Sequence, residues 1–588
     1  MKRLVPIVLG ILLVTCIMLV AVRALSYPFF LDDHDQWGYV QGKNSLAECL
    51  TWDCYGLYRP VKNVLYYGLD RWGERSVQMS HWLCLGLYLV TTGLVWGWFY
   101  RWFRHGNWAS AATAIWALAP TQVSSLIWLS CANIVLAVGA VAGALSCYDL
   151  ARVCWPQQPK RSMTWLGLSA LVYLFALFCY EGAIILPGLL ALVDWRRGRG
   201  IWRKINVVML LPFAVLAVGF VCLRWSVVPP NELTNPAIRV AGDWQISLAS
   251  AYFALQHLWS WLAPWGRQEL IGTFVWGQTV SVGGVVLCWL LVIWLLVQAF
   301  KLRHRYPDVT LGVLWFFVAF LPMSNLIPFK NGPFGDYYLV IPSLGLAWAV
   351  VGLLRQLTPL WWARKTVPVL CRVGTVCFLG LVCWRAATIH TVLEWCDTWG
   401  HRETLFYRSM LVRPYSFRAR ANLATGLHMR GHLEEAKTLI HECIDQAPWV
   451  PIHYNILGDI QSKEGDFTAA CASFNRALAL ESKNLYSHYA LARTCMEHLD
   501  DPQGALEHSR WLVACHWNRY TEDSAIGLSR IQCELGEPDK ALEVLHEVCH
   551  RSAHADKARK ELKRLEATLA EQKPTHATAF SYTRPVSH

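Results

Sequence analysis

The sequence predicts an all-α chain in two parts: a multispanning helical membrane domain over residues 1–390, then a helical-repeat solenoid over 400–570. Three observations predict it. Apolar runs of membrane-spanning length follow one another through the first two-thirds of the chain. Basic residues gather in alternate short loops between those runs. Beyond residue 400 the sequence becomes charged and alanine-rich, and a period of 34 residues appears. Composition agrees, since 55% of the 588 residues are hydrophobic and only 16% are charged, with 32 Trp. That balance excludes an ordinary water-soluble enzyme. The net charge of +12 does not imply a nucleic-acid partner, because the basic residues sit in short clusters rather than along one soluble face. Many of the 20 Cys lie inside apolar runs, where a thiol acts as a small hydrophobe. Only Cys49 and Cys54, close together in a polar loop, invite a disulfide.

The first span is read over 4–22. It is longer than the apolar core of a signal peptide and runs into Tyr27-Pro28-Phe29-Phe30 with no clear small-residue cleavage site. Further spans are expected at 81–100, 108–126, 132–149, 164–180, 182–194, 205–225, 275–300, 311–328, 337–354 and 366–387, making about eleven. Arg101 and Arg104, then Arg152, Lys160 and Arg161, then the Arg196-to-Lys204 cluster, then Lys301, Arg303 and Arg305, then Arg355, Arg364 and Lys365 join Lys2 and Arg3 on the cytoplasmic side. The external loops 28–80 and 226–274, and everything after about residue 388, then fall on the opposite side. Residues 244–264 read as an interfacial or re-entrant helix, because Trp259, Trp261 and Trp265 suit the headgroup layer.

In the second part Ala424, Gly458 and Ala492 recur at 34 residues, as do the pairs Gly431 and Gly465, and Ala436 and Ala470. This is tetratricopeptide spacing: small residues let paired helices approach, and the glycines suit the turn between them. In a third unit the alanine is Ala505, one residue out of register, and a fourth repeats the pattern as Gly536 and Ala541. Residues 571–588, polar and with two prolines, are expected to be disordered. A repeat array offers a concave surface to a protein partner. Its His441, His453 and His488 read as packing or surface residues because no ligand spacing appears, and Cys471 and Cys495 read as small core residues.

Chemistry is expected in the loop 28–80. It carries Asp32-Asp33-His34-Asp35 directly after the first span, at the external membrane surface. A carboxylate there could take the proton from an acceptor hydroxyl as it attacks a sugar carbon and lipid phosphate leaves. Alternatively, Asp33 and Asp35 form an Asp-x-Asp pair that could hold a divalent cation. The plain reading is a solvated acidic turn. Arg59 lies in the same loop and could pair with a phosphate or with an aspartate. Glu181 follows a long apolar run, where an ionisable side chain is costly enough to be a candidate by default. Lys330 and Asp336 lie in another short external loop, where a lysine can attract an anionic lipid head.

Phe30-Leu31-Asp32-Asp33 with Asn44 downstream, Tyr58-Arg59-Pro60, Tyr180-Glu181-Gly182, Leu321-Pro322-Met323-Ser324-Asn325 and Asp336-Tyr337-Tyr338-Leu339 stand in a definite order. That order resembles the motifs of the transmembrane and tetratricopeptide-repeat O-mannosyltransferases and their bacterial relatives, over nearly the whole chain. The resemblance implies a C-type glycosyltransferase (GT-C) fold that uses a polyprenyl-phosphate sugar donor. It also implies Asp32 or Asp33 as the catalytic carboxylate, with Glu181 in support. Two departures stand out. Tyr180 occupies a position where related sequences often have a basic residue, and Asp336-Tyr337 replaces an acidic–arginine pair. Lys330 or Arg59 is then left to meet the lipid phosphate.

The expectation is a membrane glycosyltransferase that moves a sugar from polyprenyl phosphate to a hydroxyl acceptor, a protein or glycan, on the non-cytoplasmic face. The rival is a non-catalytic membrane scaffold whose repeats bind an envelope or secretory partner, and a third reading is an oligosaccharide ligase or polymerase. A bacterial inner membrane with periplasmic repeats is preferred over an endoplasmic reticulum membrane with lumenal ones.

Overall fold

In the computed structural model the described residues are 4–29, 32–53, 55–73, 76–198, 204–228, 243–263, 279–327, 335–362, 394, 402–412, 416–515, 517–518, 520–552 and 555–572. Their regular structure is helical, and no strand forms among them. The chain divides into two units, Met1–Val40 with Ser45–Ile456, and Gln41–Asn44 with Leu457–His588.

The first unit opens with α1 (Leu4–Ala24), α2 (Asp32–Gln41), α3 (Pro60–Trp72), α4 (Val77–Phe103), α5 (Gly106–Ala117), α6 (Val123–Ile127), α7 (Ala132–Cys154) and α8 (Pro159–Cys179). It continues with α9 (Leu186–Arg196), α10 (Lys204–Val227), α11 (Asp243–Leu248), α12 (Ser250–Leu262), α13 (Val282–Lys301), α14 (Pro307–Phe320) and α15 (Pro342–Trp362). Six segments among the described residues are long and apolar enough to cross a membrane: Pro6–Ala24, Val77–Phe103, Leu129–Cys154, Pro159–Cys179, Val207–Val227 and Val282–Lys301.

Of the eleven spans expected, six stand as such helices among the described residues. The run 108–126 is not one helix: α5 ends at Ala117, and a 3-10 turn at Pro120–Gln122 precedes the short α6. The run 182–194 divides between a 3-10 turn at Glu181–Ile185 and the 11-residue α9, and 311–328 yields only the 14-residue α14 before a turn at Leu321–Met323. At about 1.5 Å per residue such helices fall well short of a bilayer core of about 30 Å. The run 244–264 breaks at Ala249 into α11 and α12, each too short to cross alone. The expected span 366–387 lies outside the described residues.

Polar side chains set the packing register where no water competes. Antiparallel α7 and α8 are tied by Ser162 Oγ donating to the Ala151 carbonyl (2.8 Å), Ser169 Oγ to the Ala144 carbonyl (2.7 Å) and Asn133 Nδ2 to the Cys179 carbonyl (2.7 Å). At the α14–α15 crossing, a Cβ on Gly312 would lie 2.3 Å from the Gly345 carbonyl oxygen, so only glycine permits that approach. The basic end is closed by ion pairs. Asp149 meets Arg101 (3.3 Å) and Arg197 (2.6 Å), Asp194 meets Arg152 (3.4 Å), and Asp308 meets Arg196 (3.0 Å) and Arg355 (3.9 Å). The loop arginines thus neutralise carboxylates near the helix ends.

The helices that follow residue 400 pack in part with the first unit. The helices Arg402–Val412 and Phe417–Arg430 send Leu405, Phe406 and Leu423 into the same apolar cluster as Tyr338, Leu339 and Leu344. The first repeat hairpin therefore belongs to the first unit, which runs on to Ile456.

Helix pairs begin at Phe417 and Leu433, at Pro451 and Phe467, at Leu485 and Pro502, and at Thr521 and Pro538, and Asp556–Gln572 follows. Ala436, Ala470, Ala505 and Ala541 are all fully buried. Gly431, Gly465 and Gly536 hold positive φ (88°, 85° and 75°) in the turns, as their spacing implied. The third turn explains the slipped register: Asp500 takes the left-handed position there (φ 50°), and one added residue carries the chain to an Asp501 cap on Gly504 N. Within the second unit, Gln41–Asn44 lie along the fourth hairpin, where Ser552 Oγ donates to the Gln41 carbonyl (2.7 Å) and Asn44 Nδ2 to the Arg551 carbonyl (3.2 Å). Of the tail expected at 571–588, Glu571 and Gln572 finish the last helix and the remainder lies outside the described residues.

Candidate functional site

The site end of the first unit is set by α7 and α8. The start of α7 and the end of α8 meet there, opposite the Asp149 end. Helix α2 leaves α1 toward it with three aspartates in its first turn, which the helix dipole favours. The three are placed differently. Asp33 is buried, and its Oδ1 accepts from the Tyr66 hydroxyl and from Ser130 N (3.1 Å). Asp35 Oδ2 accepts from the Tyr55 hydroxyl (2.8 Å). Asp32 is half-buried and makes no hydrogen bond or ion pair among the described residues.

Helix α3 fixes the floor. Gln36 Nε2 donates to Asn63 Oδ1 (2.8 Å), and Asn63 Nδ2 donates in turn to the carbonyls of Cys49 and Thr51 (3.0 Å each). Asp53 Oδ1 accepts from Tyr55 N and Leu57 N (2.9 Å each), while its Oδ2 holds buried Lys62 at 3.1 Å. Cys49 is buried, and its supposed partner Cys54 lies outside the described residues.

Arg59 and Glu181 form a two-pronged pair, with Nε to Oε2 at 2.7 Å and Nη2 to Oε1 at 2.8 Å, and the Arg59 guanidinium also lies over the Tyr180 ring at 5.1 Å. Burial would raise the Glu181 carboxyl, but the charge and hydrogen bonds of Arg59 outweigh it and hold Glu181 below the usual range. The Arg59 fork expected to meet a phosphate is therefore closed by Glu181. Lys330, the other expected cation, lies outside the described residues. Asp336 opens the 3-10 turn Asp336–Leu339, which places Tyr337 and Tyr338 beside Tyr180 and Trp128.

One site residue has no sequence signal. Arg418, the second residue of the helix Phe417–Arg430, is half-buried and lies within electrostatic reach of Tyr337, Asp32 and Tyr338. Burial draws its pKa down, opposed by Tyr337 first and then by Asp32. The Asp32 carboxyl is raised chiefly by burial, with Lys62 and Arg418 pulling the other way. Arg418 was missed because arginines are common in the repeats, and nothing in its neighbours marks it.

The Asp-x-Asp pair divides its hydrogen bonds between two sides. Asp33 and Asp35 are divided among separate hydrogen donors, and among the described residues no three His, Cys, Asp or Glu converge for a metal. Among those residues, the arrangement offers one carboxylate able to accept a proton, one unpaired guanidinium and a rim of tyrosines.

No family model matches the chain, that of the glycosyltransferase family it resembles included, and no curated protein matches it. Among solved structures it is similar to YrrB, described as a TPR protein with an unusual peptide-binding site, at 19% identity over 29% of this chain and 85% of that one, with a TM-score of 0.25. It is also similar to TTC0263, a thermophilic TPR protein of Thermus thermophilus, at 15% identity over 33% of this chain and 96% of that one (TM-score 0.24). Yeast Tom70 aligns at 13% identity over 83% of this chain and 97% of that one (TM-score 0.27). All three TM-scores lie below 0.5, and the tetratricopeptide assignment rests on the 34-residue recurrence of helix pairs.

Proposed function

We propose that this chain is a membrane-anchored repeat protein whose helical hairpins hold a polypeptide partner. The recurring hairpins carry this reading, since an array of this kind presents a continuous curved face and contributes little chemistry of its own. The first hairpin is built into the membrane unit, where Leu423 joins the apolar cluster that holds Tyr338 and Leu344.

A second, narrower reading is favoured by Asp32: the membrane unit transfers a sugar from a polyprenyl phosphate to a hydroxyl of the held acceptor. Its neighbours Asp33, Asp35 and Asp53 are all occupied by hydrogen bonds, whereas Asp32 has none among the described residues and lies within electrostatic reach of Arg418. In the proposed step the Asp32 carboxylate takes the acceptor hydroxyl proton while the acceptor oxygen bonds the anomeric carbon. The bond from that carbon to the phosphate oxygen breaks, and its electron pair stays on the phosphate.

Purified full-length protein, given a labelled polyprenyl-phosphate sugar and a peptide library, tests both. Transfer lost in Asp32→Asn with peptide capture intact supports both readings. Transfer unchanged in Asp32→Asn and in Asp33→Asn removes the transferase role, and peptide capture without donor binding leaves the scaffold.

A further inference from the structure

We propose that His488 and His508 form an acid-sensitive latch inside the third repeat hairpin: while at least one ring is neutral they share a hydrogen that ties its two helices, and protonation of both drives them apart. The latch goes beyond both readings of function and depends on neither.

The two rings face each other across the hairpin, His488 near the start of Leu485–Glu497 and His508 midway along Pro502–Ala514. Their Nδ1 atoms lie 3.0 Å apart, and the ring centroids 5.0 Å. On its other side His488 Nε2 lies 3.0 Å from the Ser482 carbonyl; a carbonyl oxygen only accepts, so this nitrogen carries its hydrogen. In a neutral His488 ring Nδ1 is then bare, and His508 Nδ1 donates to it. A first proton can enter at His508 Nε2 and leave that bond in place, now charge-assisted. A second has only His488 Nδ1 left, where it meets the His508 hydrogen head-on and sets two positive rings side by side.

Packing keeps the rings together. His488 is buried, and its ring stacks on that of Trp511 with centroids 4.0 Å and planes 19° apart. Burial, and for His508 the His488 ring, disfavour charge on the pair, while Glu507, the Ser482 carbonyl and the face of Trp511 favour it. From the turn 481–484 and the packed helices Phe467–Leu480 and Thr521–Glu534, no described side chain brings a charge to bear on either ring. Burial outweighs Glu507 and holds both rings below the ordinary histidine range, so the tie is whole above that range and is lost as pH falls below it. The corresponding positions hold Arg420 and Leu439 in the first hairpin and Tyr454 and Ser473 in the second, so neither preceding hairpin carries such a pair.

Amide hydrogen exchange of the full-length protein in detergent, corrected for the intrinsic pH dependence of exchange, reads the latch. Between about pH 7.5 and about pH 5 the segment 485–514 should come to exchange about tenfold faster in wild type, the equivalent of about one pKa unit, whereas the segment 417–446 should not. His508→Phe keeps a flat ring but can neither donate nor take a proton; it should exchange faster than wild type at neutral pH and lose the acid response. His488→Asn, which also leaves a single titrating ring, should lose that response too and serves if His508→Phe does not fold. His453→Leu should leave the response of 485–514 as it is in wild type, which separates the latch from general acid destabilisation. A wild-type segment equally protected at both pH values, or an acid response that survives in the folded His508→Phe or His488→Asn protein, overturns the proposal.

Discussion

At the basic end of the bundle Asp149, Asp194 and Asp308 are buried, and each closes on at least one arginine, whereas at the opposite end Asp32 and Arg418 stand half-buried with neither bonded to the other. Both ends draw on the same residue types, but at the basic end each of these buried carboxylates is met within the protein. Charges met within the protein hold helices together, and their loss exposes an uncompensated partner. Charges left unmet cost stability and can be answered by a ligand. Paired Arg59 and Glu181 show that even the site end contains a structural pair, so proximity to the site does not by itself make a residue functional.

The largest effect expected from breaking this contrast is on chemistry. On the transferase reading, Asp32→Asn should lower sugar transfer about 10²- to 10⁴-fold, the range for loss of a general base, without lowering the thermal midpoint. Transfer assays and melting curves on one preparation check both halves. At the paired end, Asp194→Ala leaves Arg152 and the Tyr148 hydroxyl, 2.7 Å from Asp194 Oδ2, facing a void. Unfolding in detergent should show a loss of about 3–5 kcal/mol.

His453 tests a buried ionisable group that has no ionic partner among the described residues. Burial lowers its pKa to about 4, so folding favours the neutral ring; its contribution is complete above the ordinary value of 6.5 and is lost as pH falls from there toward 4. His453→Leu should remove about 2–3 kcal/mol of acid destabilisation over that window, read as a flatter plot of stability against pH. The smallest effect belongs to a neutral tie within the bundle. Ser169→Ala, which deletes the bond to the Ala144 carbonyl, should cost about 0.6 kcal/mol in the same unfolding assay.

Part of the site was legible in the sequence. Asp32, Asp33 and Asp35 followed an apolar run, and Glu181 closed another, so their exceptional cost marked them. The sequence could not separate the three aspartates, because Tyr66, Tyr55 and the Ser130 amide reach them across 33, 20 and 97 residues. Arg59 looked free until Glu181, 122 residues away, was seen to close it. The run 108–126 has the composition of a span, and only packing shows it broken at Leu118 and Ala119.

The sequence by itself determined the helical class, the change from apolar runs to repeats, and the glycine turns. These follow from composition and from periods of a few to 34 residues, which near neighbours along the chain enforce. Only the tertiary structure decided which charges meet. An ion pair depends on distances of a few ångströms between residues far apart in the chain, and no local pattern encodes that Arg418 would come to lie near Asp32 rather than against a glutamate of its own hairpin.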